Sequence, residues 1–221
     1  MKDLNQLLLK FDLRQNYKNE DFYVNKSNFF AFDLISKWPK WEKNILNIHG
    51  EKYCGKTHLS NIFKKKYNAF KVQANEFNNE NLKEFKIFEN LILDDFDENV
   101  DEKLMYTLFN IADQDNKYIL INSLAPINQL NFKLADFISR TKNCLFARIE
   151  KPDDELIFAI LLKNFSDRQI TIEKKLIDYI IKHIDRSYGK IYEFIYKIDE
   201  ISLKKNIMHL KSKQMNLITK I

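Results

Sequence analysis

The stretch GEKYCGKT, residues 50 to 57, follows the apolar run NILNIH directly and leads into KTHLSNIFKKKY. A strand, then GxxxxGK(S/T), then a helix is the phosphate-loop pattern, and Gly50, Gly55, Lys56 and Thr57 fill every fixed position of it. Each residue type has a chemical reason. Glycine lets backbone N–H groups curl around phosphates, a lysine reaches the β and γ oxygens, and a hydroxyl at the helix N-terminus ligates magnesium. The chain has only three glycines and two of them lie here, so a backbone role is expected of both.

The flanking sequence extends this to a fold. SNFFAFDLISKW predicts a helix over 28–38, with Ser27 as a cap and Phe30, Leu34 and Trp38 at helical spacing. NILNIH (44–49), AFKVQA, LILDD (91–95), YILIN (118–122) and CLFARIE (144–150) read as buried strands. KTHLSNIFKKKY and DEKLMYTLFNIADQ read as helices between them. The alternation predicts an α/β fold, a parallel sheet with helices on both faces. After Pro152 the pattern becomes all-helical: DDELIFAILLKNFSD, IEKKLIDYIIKHID and SYGKIYEFIYKIDEISL, then a final short helical segment. The expected organisation is an N-terminal segment at 1–21, a nucleotide-binding α/β domain at 22–151 and a small α-helical lid at 152–221.

Composition excludes several classes. Hydrophobic residues make up 45% of the 221, with 18 Phe and 10 Tyr, which requires a globular core. The net charge of +5 comes from Lys spread among Asn and Ile, which reads as compositional bias rather than a DNA-binding face. Cys54 and Cys144 stand in no CxxC arrangement and the four histidines show no ligand spacing, which argues against zinc and for a reducing compartment. No apolar run approaches the roughly 18 residues of a membrane span, and MKDLNQLLLKF has too short an apolar core for a signal peptide. A cytoplasmic protein with no membrane partner is expected.

A nucleotide site also needs an acid at a neighbouring strand end. LILDDF offers Asp94 as the magnesium residue and Asp95 to orient or deprotonate a water, where many P-loop ATPases have Glu; paired Asp also caps helices. Asn122, ending YILIN, would lie between loop and acid if its strand is the next in the sheet, within reach of a γ-phosphate or the attacking water. Strand-end Asn is also common in turns.

This arrangement resembles the AAA+ ATPases, and within them the DnaA/Hda family of replication initiators and their shorter regulatory inactivators. DFYVNKSNFFAFDLI is similar to the family segment of form FxVxxSNxxA that leads into the base pocket, which implies a nucleotide contact at Val24. GEKYCGKTHL matches the family phosphate loop through the following His58. LADFISR matches the stretch with the arginine finger, at Arg140, and IDRSYGKIY the lid helix with the second sensor arginine, at Arg186; both arginines also read as surface ion-pair partners. EKPDDELIFAILLKNFSDRQI looks like inactivator homologues of alphaproteobacterial type. QLLLKF resembles the short motif that docks on the DNA sliding clamp, with Gln6, Leu7, Leu9 and Phe11 as its anchors; the bland reading is a strand packed on the core.

The resemblance implies ADP or ATP with Mg2+ as cofactors, and DnaA and the β sliding clamp as partners, with a homodimer possible. It implies little or no intrinsic ATPase activity: the chain would offer Arg140 in trans to ATP held by the initiator. Two departures stand out. Leu124 occupies the neighbourhood where the initiator usually has Asp, and the sequence ends after the lid, so recognition of a specific DNA sequence is not expected. An AAA+ helicase loader, a P-loop small-molecule kinase and an adaptor holding ADP structurally are the alternatives.

Overall fold

The computed structural model describes residues 22–205 and 209–210. Its centre is a parallel sheet of β1 (Ile45–His49), β2 (Phe70–Gln73), β3 (Asn90–Phe96), β4 (Tyr118–Ser123) and β5 (Leu145–Arg148), in the order β2-β3-β4-β1-β5. Strands covered on both faces are largely apolar, and every residue of β1 is buried, including Asn47, whose amide donates to Ile121 O and Ser123 Oγ.

Successive side chains take opposite faces and so divide the core. Leu46, Ile48, Ile92, Leu120 and Ala147 pack with the helices α1 (Phe29–Ser36) and α2 (Lys56–Tyr67). Ile45, Leu91, Leu93, Ile119 and Ile121 pack on the other face with α3 (Asn79–Phe85), α4 (Glu102–Gln114) and α5 (Ala135–Lys142). The first face carries an aromatic group. Phe63 is fully buried against Trp41 (ring centroids 5.6 Å apart, stacked) and against Tyr67 (5.1 Å).

Helix boundaries have local causes. Asp101 caps α4 by accepting from the amides of Lys103 and Leu104, and α2 ends at Asn68 in the left-handed conformation that closes many helices. Helix α3 was not expected from the sequence. Asn78 and Asn81 form a reciprocal capping box that starts it, and only Phe85 of its seven residues is buried, which leaves almost no apolar periodicity to read.

Beyond β5, α6 (Asp154–Asp167), α7 (Lys174–His183) and α8 (Tyr188–Lys205) enclose a separate apolar cluster containing Ile157, Leu161, Phe165, Ile177, Ile191 and Ile195. Leu156 and Tyr188 instead join the cluster under α1 and α2, so they tie the helical unit to the sheet. Thr171–Ile172 (β6) pairs in parallel with His209–Leu210 (β7). The final short helical segment expected at the end of the chain falls mostly outside the described residues. Among the described residues no helix is long and apolar enough to cross a membrane.

Phe63 lies at 0% exposure between ring partners that cannot collapse together. Phe63→Ala is expected to cost about 3–5 kcal/mol, read as a lowered midpoint in urea denaturation.

Candidate phosphate-binding site

The loop begins where β1 ends. Gly50 donates its amide to Ser123 O (3.3 Å), and a Cβ there would stand 2.9 Å from Ile149 O and 3.0 Å from Cys54 Sγ, so no side chain fits. Gly55 has φ +100°, and α2 starts at the next residue. The buried Lys56 ammonium donates to Gly50 O and Glu51 O, both at 2.8 Å, so the loop curls around a positive charge at a helix N-terminus.

The loop tip touches the helical unit. Tyr53 adopts φ +69°, a rare conformation for a bulky residue, and its ring stacks on Tyr192 of α8 at 5.0 Å. Glu51 Oε2 accepts from the Tyr188 amide (3.3 Å), and Tyr188 Oη donates to Glu150 O (3.0 Å).

The acid lies one strand beyond the neighbour of β1. β4 does sit between β1 and β3, with Ile48 beside Asn122, as the reading of Asn122 required. The β3–β4 register shifts between Leu93 and Phe96; within that irregularity Asp94 is 2% exposed, while Asp95 has φ +50° and faces solvent. Asp94 Oδ1 accepts from Asn122 Nδ2 (2.8 Å) and, more distantly, from Thr57 Oγ1 (3.4 Å). Its Oδ2 is paired with Lys71 Nζ at 2.8 Å. Burial pushes the Asp94 carboxyl up, but hydrogen bonds from Lys71 and Asn122 and the lysine charge outweigh it and hold the group below the usual carboxylate range. Asn122 Nδ2 also donates to Ser60 Oγ, whereas its buried Oδ1 makes no hydrogen bond.

The structure therefore gathers Gly50, Gly55, Lys56, Thr57, Asp94 and Asn122. His58 lies beside them, since the Phe22 ring covers Gly55 and meets His58 edge-on at 5.3 Å; Val24 is half-buried two residues after Phe22. That segment is pinned by Asn25 Nδ2 to Asp153 (2.7 Å) and Ser27 Oγ to Lys151 O (3.0 Å). Arg186 pairs with Asp154 at 2.9 Å on the surface. Arg140 pairs with Asp113 at 2.6 Å on the α4–α5 side, across the sheet from α2. Gln6, Leu7, Leu9 and Phe11 lie outside the described residues.

Magnesium fits this donor set poorly. The Thr57 hydroxyl stands at the helix start, but the acid beside it already carries an ammonium on Oδ2 and an amide on Oδ1. Sequence reasoning missed Lys71, Ser60, Tyr53 and Tyr192; the one available signal was a charged residue in the middle of the strand AFKVQA.

Fold and loop together define a P-loop α/β protein with the AAA+ type of sheet and flanking helices. No protein-family model matches the chain. In sequence it is 26% identical over 213 residues to the chromosomal replication initiator protein DnaA of Borreliella afzelii, covering 84% of this chain and 44% of that protein. The chain thus spans less than half the length of this relative. Its fold matches domain III of the Thermotoga maritima initiator DnaA with TM-score 0.74 at 20% identity, over 93% of this chain and 96% of that one. It also matches AMPPCP-bound DnaA from Aquifex aeolicus with TM-score 0.66 at 22% identity, over 87% and 67% of the two chains.

His49, at the loop entrance, is 9% exposed, and burial followed by the nearby Arg148 charge favours its neutral form. The unfolded chain takes up a proton near pH 6.5 that the folded chain resists, so stability falls as pH drops below that value. The contribution should stay within about 1 kcal/mol per pH unit. Melting temperatures between pH 7 and 5.5 should decline less steeply for His49→Asn than for the wild type.

Proposed function

We propose that this chain binds an adenine nucleotide at Gly50–Thr57 and acts in the control of replication initiation, by stimulating hydrolysis of ATP bound to a DnaA-type initiator. The observation that carries the nucleotide reading is the convergence of Lys56, Thr57, Asp94 and Asn122 at one end of the sheet. Sequence similarity to initiators, and a fold shared with one solved with AMPPCP, support the adenine class and the setting.

Placement of Arg140 supports action in trans. Its guanidinium lies on the sheet face opposite α2, so it does not serve the loop of its own chain; it is partly exposed and, among the described residues, is paired with the surface carboxylate of Asp113. A surface ion pair of this kind is worth about 1 kcal/mol or less, so a partner's phosphate readily takes the arginine. There it would neutralise charge that develops on the transferred phosphoryl group. Arg186 serves the nucleotide from the helical unit, Val24 and His58 line its approach, and Asp95 is the residue that faces a water. Gln6, Leu7, Leu9 and Phe11 dock the chain on the DNA-loaded β sliding clamp, which brings it to the initiator. A helicase loader would share the module but has no use for a clamp motif. A small-molecule kinase needs an arginine-rich mobile lid, and the helical unit carries Arg168 and Arg186 alone among its described residues.

The test is ATP hydrolysis by the cognate initiator with this protein and clamp-loaded DNA. Arg140→Ala is expected to lose stimulation by roughly 10³-fold or more while retaining nucleotide and clamp binding. Unchanged stimulation overturns the arginine's role. Lys56→Ala is expected to lose nucleotide, measured by equilibrium dialysis with ADP.

A further inference from the structure

The carboxylate that would serve a metal is already matched by a cation of the chain itself. Lys71 lies on β2, whose register places Val72 beside Leu93 and Gln73 beside Asp94. Lys71 and Asp94 are therefore diagonal neighbours on one face, and a side chain as long as lysine's spans that diagonal. It arrives at Asp94 Oδ2 with Nζ at 2.8 Å and is steadied by Asn61 Oδ1 at 3.1 Å. Only 16% of the Lys71 side chain and 3% of the Asp94 side chain are exposed. A magnesium ion demands near-octahedral oxygen ligation and keeps its waters, so it competes with the buried ammonium for the charge of this one carboxylate. Displacing Lys71 would leave its charge in the same partly dry space without the carboxylate, which favours the resident pair.

We propose that Lys71 is a tethered counter-cation that takes the place of a divalent metal at Asp94, so that the chain holds its nucleotide without depending on magnesium. The inference rests on the nucleotide-binding reading above for its second half only; the competition at Asp94 stands on the ion pair. Lys71 is then a positioning residue. It fixes Asp94, and through Oδ1 it fixes the Asn122 amide.

Two measurements on the full chain test this. In the first, Mn2+ alone is titrated into the nucleotide-free protein and followed by electron paramagnetic resonance. Lys71→Met is expected to bind Mn2+ about tenfold more tightly than wild type, whereas Lys71→Arg, which keeps the charge, is expected to stay as metal-poor as wild type. In the second, ADP affinity is measured by calorimetry with Mg2+ or with EDTA. Wild type should change by less than about threefold, and Lys71→Met should become dependent on Mg2+ by about tenfold. Should Lys71→Met fail to fold, Lys71→Gln, a shorter neutral side chain able to hydrogen-bond, is read in its place. Wild type that binds Mn2+ as tightly as the neutral variants, or that loses ADP tenfold on chelation, overturns the proposal. A chain that binds no ADP under either condition overturns the nucleotide reading, while the Mn2+ comparison still decides Lys71.

Discussion

A buried carboxylate has to be compensated where it stands, and the carboxyl edge of this sheet is arranged around that requirement. Asp94 is 2% exposed, and its charge draws an ammonium from one neighbouring strand, an amide from the other and a hydroxyl from α2. Those contacts link β2, β3, β4 and the first turn of α2, so the relative heights of four elements are set at one point. An unpaired charge there would cost far more than any single apolar contact in the two cores.

The strand order makes this possible. Placing β4 between β1 and β3 leaves one strand's width between the phosphate loop and the acid, and Asn122 fills that gap. Ligands of open α/β sheets bind beyond the carboxyl ends of the strands, and the loop, Asp94 and Asn122 all stand there. The apolar faces determine which helices lie near that edge, and α2 lies on the face away from Arg140. The loop thus lies on the α2 side of the sheet and Arg140 on the α4–α5 side, the separation on which the proposed action on a partner's nucleotide rests.

The parts legible in the sequence were those whose cause is local. The strands, α2 and its loop follow from apolar runs and from glycines at fixed spacing, and α4 from its periodicity. Arg140, Arg186 and Val24 came from family resemblance, and their packing was not readable: nothing in LADFISR indicates that Arg140 meets Asp113. Lys71 was missed because its meaning depends on the β2–β3 register, a relation between segments about twenty residues apart. Helix α3 was missed because Asn and Glu dominate it and its capping box uses Asn twice. A two-residue strand such as β7 has no period to detect.

The contact between Tyr53 and Tyr192 has a mechanical meaning. Tyr53 is held at a left-handed backbone angle, which an unsupported tyrosine abandons at a gain of about 1–3 kcal/mol. Its ring leans on α8, so the curvature of the loop tip and the seating of the helical unit form a single degree of freedom. Lifting α8 away would remove the ring that supports Tyr53 in this backbone angle.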